Sequence, residues 1–165
     1  MTKQANFIAT GAVLTALALI FSYVDSQVSL VIPIPSVKLG LANGVILVAL
    51  YHLNTPTALT VNLLRIFLAN LLFGSPVSAA YGLTGGLLSF AVMVLLKKTG
   101  KFSPVGISMA GAVAHIWGQL AIAVVITQTP AVLQMAPPLM GVSIATGAAL
   151  GLLTMAVQKR LRITG

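Results

Sequence analysis

Six apolar runs, parted by short breaks at proline, glycine and lysine, leave this chain almost no way to fold in water. They cover residues 6–24, 39–53, 57–73, 77–96, 105–126 and 138–157. Most are long enough to cross the roughly 30 Å hydrocarbon core of a bilayer as a helix. The second is short for a full crossing, which predicts a tilt or an earlier start. Only 6% of the 165 residues are charged. A soluble domain carries about 25%, so lipid must cover most of this surface. The fold class that follows is an all-α integral membrane protein, a single six-helix transmembrane bundle over 1–165. The first run lacks a small-residue cleavage site and continues into Tyr23 and Asp25, so it reads as a span and not a cleaved leader.

Charge placement predicts the orientation. Lys3, the Lys97/Lys98/Lys101 group and the Lys159/Arg160/Arg162 group share one side if there are six crossings. Lys38 lies on the other side with Asp25, and Arg65 lies within a span. Basic residues concentrate in cytoplasmic loops, which predicts a multi-pass protein with both termini and the 97–101 loop in the cytoplasm. The same rule accounts for the net charge of +8 without nucleic acid as a partner. It also places the irregular segments 25–38 and 127–137 outside, where such backbone can lid a site between helices.

Few residues can carry chemistry. Arg65 sits mid-span, where a charge costs at least a few kcal/mol. It either grips an anionic group, as guanidinium does bidentately, or orders the bundle by binding helix-end carbonyls and polar side chains. The one acid, Asp25, is expected near the outer surface. His115 and Gln119 lie one turn apart and share a helix face, as a packing pair or a site; Trp117 faces elsewhere. Lys38 is either a snorkelling anchor at the outer mouth or a cation that attracts an anion. Asn43, one turn into the membrane, needs a partner. Asn62, Asn70, Tyr81, Thr84 and Ser89 add polarity inside the bundle, each as helix glue before ligand contact. The ligand-binding candidates are Lys38, Asn43, Arg65, Tyr81, His115 and Gln119.

Ala5/Ala9 and Ala12/Ala16 give small-xxx-small spacings on the first helix, suited to close packing within the bundle or against a partner. Gly82, Gly85, Gly86, Gly141, Gly147 and Gly151 suit close packing too. There are no cysteines, no phosphate-cradling glycine loop, no aspartate pair for Mg²⁺-diphosphate chemistry and no nucleophile–base–acid set. No metal site or cofactor is expected, and catalysis by this chain alone is not.

The blocks Pro33-Ile-Pro-Ser-Val-Lys38-Leu-Gly-Leu-Ala-Asn43, Leu64-Arg65-Ile66, Leu83-Thr-Gly-Gly-Leu-Leu-Ser89 and Gly106–His115 with Gly118-Gln119 resemble the Gx transporter family. Its members are often labelled heptaprenyl diphosphate synthase component I. Ile116 departs from the small polar residue expected after the histidine. The family in turn is similar to the S components of energy-coupling factor (ECF) transporters. That likeness implies an outward pocket lidded by the first loop and a docking face at Ala5, Ala9, Ala12 and Ala16. It also implies an ECF-type coupling subunit and ATPases as partners, with this chain only binding a small amphipathic or anionic ligand. The synthase label implies instead an accessory role in making the menaquinone side chain. Other relatives imply quinone-linked extracellular electron transfer.

Overall fold

The chain is described here by a computed structural model that covers residues 3–28 and 38–163. Six helices follow in order: α1 (Lys3–Val28), α2 (Ala42–His52), α3 (Thr55–Phe73), α4 (Pro76–Thr99), α5 (Pro104–Thr127) and α6 (Ala136–Ile163). Among the described residues there is no strand. Three helix starts share one local device. Asn54, Ser75 and Ser103 each accept a backbone N–H three residues on, from Thr57, Ser78 and Gly106, with a proline just inside the helix. The side-chain oxygen satisfies an amide that the helix cannot, and proline has no amide to lose. Gly100 ends α4 at φ +67°, a left-handed conformation that a Cβ disfavours.

Among the described residues five helices are long and apolar enough to cross a membrane, with mean hydropathy of 1.5 to 2.1. The protein is therefore a multi-pass membrane protein. Its outward faces agree: Leu71, Leu72, Phe67, Ile8 and Val125 are all more than 60% exposed, which is stable only against lipid.

The expected sixth crossing is different. α2 has 11 residues, about 16 Å at 1.5 Å per residue, or half the hydrocarbon core. It is buried on nearly every side, from Ala42 to Leu50. α2 is thus the central post of the bundle, and Leu39–Leu41, expected to begin it, precede its first turn. Two other boundaries differ from expectation. α1 runs past residue 24 through Asp25 to Val28, so Asp25 belongs to a helix and not to a loop. The 127–137 connection contains a 3-10 turn, Pro130–Met135, that leads directly into α6. Pro137 and Pro138 are accommodated there because first-turn amides have no intrahelical acceptor. The expected first-loop lid falls largely on residues 29–37, outside the described residues.

Neighbour contacts give the directions. Gly11 lies against Thr57, and the Tyr23 and Phe73 rings meet edge-on at 5.5 Å, so α1 and α3 run parallel. Gly118 against Thr84 and Gly111 against Met93 make α4 and α5 antiparallel. Gly147 against Met109 and Gly151 against Val105 do the same for α5 and α6. Lys97, near the end of α4, donates to the Leu50 carbonyl at the end of α2 and lies 4.9 Å from the Tyr51 ring centre. A cation here complements the negative helix end. The start of α1, the ends of α2, α4 and α6, and the start of α5 therefore share one side of the molecule. The basic groups around 97–101 and 159–160 gather at that side.

Candidate functional site

α2 begins in the interior, so the N–H groups ahead of its first turn face neither water nor an upstream helix. Such groups cost several kcal/mol each if unsatisfied in a membrane. Two distant helices supply their acceptors. Asp25 of α1 accepts from Leu39 N–H (2.8 Å) with one carboxylate oxygen, and from Gly40 (2.8 Å) and Leu41 (3.1 Å) with the other. Gln119 of α5 accepts from Lys38 N–H at 2.8 Å. Four consecutive amides are thus bound by one carboxylate and one carboxamide. Gly40 takes φ +81° between them, and a Cβ there would meet Asn43 Nδ2 at 2.8 Å and His115 Cδ2 at 3.0 Å. Only glycine meets both demands.

Arg65 joins this segment through Asn43 in the first turn of α2. Its Nε donates to Asn62 Oδ1 (3.1 Å), Nη2 to Asn43 Oδ1 (3.2 Å) and Nη1 to Ser22 Oγ (3.5 Å). Asn62 in turn donates to the Gly86 carbonyl at 3.2 Å. Ser22 and Asp25 are three residues apart on α1, and Asn62 and Arg65 three apart on α3. Each pair therefore shares a helix face. Asn43 Nδ2 is buried and has no acceptor among the described residues.

The Gln119–His115 pair is defined by its surroundings. Gln119 Oε1 is engaged by Lys38 N–H, so its Nε2 faces His115 Nε2 at 2.6 Å. An amide nitrogen only donates, so His115 Nε2 is the acceptor and the ring proton is assigned to Nδ1. Gly85 makes room for the pair: a Cβ on it would lie 2.9 Å from Gln119 Cγ and 3.0 Å from His115 Cε1.

Five of the expected ligand-binding residues, Lys38, Asn43, Arg65, His115 and Gln119, therefore meet in one buried polar cluster. Tyr81 does not join them. It lies one turn along α4 from Gly85, among Ile116, Leu120, Ala123 and Leu139. Two expectations are corrected. Asp25 is 2% exposed, a buried residue of α1 and not part of an irregular connection. Lys38 is 8% exposed and not a snorkelling anchor, because its backbone is drawn into the bundle by Gln119. Ser22 and Asn62 also belong to the cluster. The one available signal for Asp25 was its being the sole acid in a chain with an intramembrane arginine. Asn62 was legible as the residue one turn before that arginine.

The cluster holds one acid and two strong bases, and Asp25 acts electrostatically on both Lys38 and Arg65. Among the described residues no three His, Cys, Asp or Glu side chains come together to hold a metal. Of the small-residue stripe, Ala5 is half-buried while Ala9, Ala12 and Ala16 are exposed on α1. The glycines of α4, α5 and α6 mostly pack inside the bundle, although Gly141 meets open space.

Neither the curated proteins nor the solved structures contain a match to this chain. A family profile described as heptaprenyl diphosphate synthase component I matches residues 14–157. That span takes in every side chain of the polar cluster, and the chain belongs to the heptaprenyl diphosphate synthase component I family.

Proposed function

We propose that this chain is a non-catalytic, membrane-embedded binding subunit for an amphipathic ligand with an anionic head. The observation that carries the reading is the charge balance of the buried cluster: Lys38 and Arg65 against Asp25 alone. A buried cation without a counter-charge is costly, and an anionic head beside Arg65 offsets it. Asn43 Nδ2, a buried donor without an acceptor among the described residues, adds a further hydrogen bond for such a head. The family description supports an isoprenyl diphosphate as the ligand class and a separate prenyl diphosphate synthase as the partner, in an accessory role. Charged guanidinium suits diphosphate oxygens, while an apolar bundle suits a prenyl chain.

A second reading keeps the same site but a different partner. The exposed face of Ala9, Ala12 and Ala16 supports docking of another membrane subunit, as in S components of ECF transporters energised by a coupling subunit and ATPases. On either reading cytoplasmic termini follow from the charge rule, the basic side of the bundle being the cytoplasmic one, with the five long helices crossing and half-length α2 completing the chain's return to that side.

Mass spectrometry of small molecules released from gently purified protein tests the ligand. An amphipathic anion retained by the wild type and lost in Arg65→Gln is the expected result. Purified protein that retains no such molecule, with Arg65→Gln indistinguishable from wild type in binding prenyl diphosphate, would sink the proposal. Co-purification with a prenyltransferase, or with a coupling subunit and ATPases, separates the two partner readings.

A further inference from the structure

α3 and α4 do not close on each other along their outer halves. A groove of about 500 Å³ runs between them, open on the lipid-facing side and walled mostly by apolar side chains such as Leu63, Ile66, Phe67 and Leu83, with Asn70 and Ser75 also on its wall. Its size is that of a small-molecule site, and its walls are those of one. Phe67 is 65% and Leu71 69% exposed, so the groove is reached from within the bilayer and not through water.

What lies behind the groove distinguishes it from a chance furrow. Ile66 lines it, and the neighbouring Arg65, about 100° round α3, extends into the polar cluster. On α4 the facing residues are glycines four apart. A Cβ on Gly82 would lie 3.5 Å from Ile66 Cγ2, and one on Gly86 would lie 2.8 Å from Ile66 Cδ1 and 3.3 Å from Arg65 Nη2. The Gly86 surface thus touches both the groove-lining isoleucine and the guanidinium. With no side chain on α4 at either level, the Ile66 side chain stands between an apolar groove and a cation.

The geometry points to this α3–α4 groove as the seat of the ligand's hydrocarbon chain, with its anionic head passing Ile66 to reach Arg65. The occupant is one isoprenoid chain bearing an anionic head. The chain matches an apolar groove that faces lipid, and the head matches the cation behind it. An amphiphile already dissolved in the bilayer meets the groove laterally, so its chain need not cross water to bind. This assignment rests on the anion-binding reading above and adds to it a chain site outside the polar cluster.

The test uses the full chain in lipid nanodiscs with isopentenyl, geranyl and farnesyl diphosphate as probes, and reads the ratio of farnesyl to isopentenyl affinity. Wild type should favour farnesyl by about tenfold or more, since each buried methylene adds apolar contact. Leu83→Trp, which fills the groove from a lipid-exposed position, should collapse that ratio towards one. Phe67→Ala, which removes part of the wall without adding bulk, should lower it by severalfold. Arg65→Gln should weaken all three probes together. A farnesyl preference that is absent in wild type, or that survives both groove variants, overturns the groove assignment and leaves anion binding at Arg65 standing. Failure of every diphosphate to bind wild type overturns both.

Discussion

α4 presents glycines to two neighbours, and the two interfaces it makes are opposites. Toward α5 the backbones themselves meet. A Cβ on Gly118 would lie 2.7 Å from the Thr84 carbonyl oxygen and 2.9 Å from the Gly85 α-carbon, with nothing flexible to yield. Toward α3 the glycines meet the ends of side chains, Ile66, Arg65 and Asn70, and a groove opens beside them. Helices in lipid associate through close packing and polar contacts, not through exclusion of water. The α4–α5 seam uses the first means and is rigid. The α3–α4 side has side-chain contacts and the Asn62 bond to the Gly86 carbonyl, and keeps room to adjust. A site that must admit a ligand belongs on the second kind of interface, supported by the first.

The contrast can be broken most severely at Asp25. Asp25→Ala strips three buried amides of their acceptor and leaves two cations without their counter-charge. The expected loss is about 3–5 kcal/mol, the range for breaking a buried charged pair, read as collapse of monodisperse yield and of the thermal midpoint in detergent. Asp25→Asn should recover part of that loss, because one carboxamide oxygen still accepts. Equal behaviour of the two variants would show that Asp25 does not hold the 39–41 amides.

Gly118→Ala attacks the rigid seam with a single methyl group. Overpacking against backbone costs about 1–3 kcal/mol, and the upper end is expected here because both contacts are main chain. Gln119→Leu follows at about 2 kcal/mol, the cost of leaving the buried Lys38 amide unpaired. Gln119→Glu should be milder than Leu, since it still offers that amide an acceptor. Thermal unfolding of the set in one detergent ranks them.

The smallest effect sharpens the comparison best. Gly82→Ala places its Cβ at 3.5 Å from two side-chain atoms, ordinary contact distance, so a change within about 0.5 kcal/mol is expected. A large loss at Gly82 together with tolerance at Gly118 would invert the assignment of rigid and adaptable sides.

Much of this architecture was legible in advance. Five helix ends, from the end of α2 to the end of α4, fall within three residues of their sequence-based limits, because Asn54-Thr-Pro, Gly74-Ser-Pro and the Lys97–Gly100 stop act locally through capping and missing amides. His115 and Gln119 were legible as a pair because four residues make one turn. The ends of α1 and the start of α2 were not. Asp25 looks like a loop residue when charge is read locally, yet it extends α1 into the bundle because its partners are amides of residues 39–41. No periodicity reveals a bond across such a separation. Tyr81 has the same origin in reverse: a polar residue near the right glycines, turned by its helix phase to an apolar neighbourhood.

By itself, then, the sequence determined that this protein lives in lipid, that its helices begin and end where caps and prolines put them, and that its basic groups gather at one side. Each follows from hydropathy, backbone chemistry or charge acting over a few residues. Only the tertiary structure decided that α2 is a half-length central post. It alone decided that the sole acid caps that post from α1, and that Arg65, Asn43 and the His115–Gln119 pair converge on the segment before it. Those are bonds between helices, and their energy depends on which buried donors and acceptors the packing brings within 3 Å or so of each other.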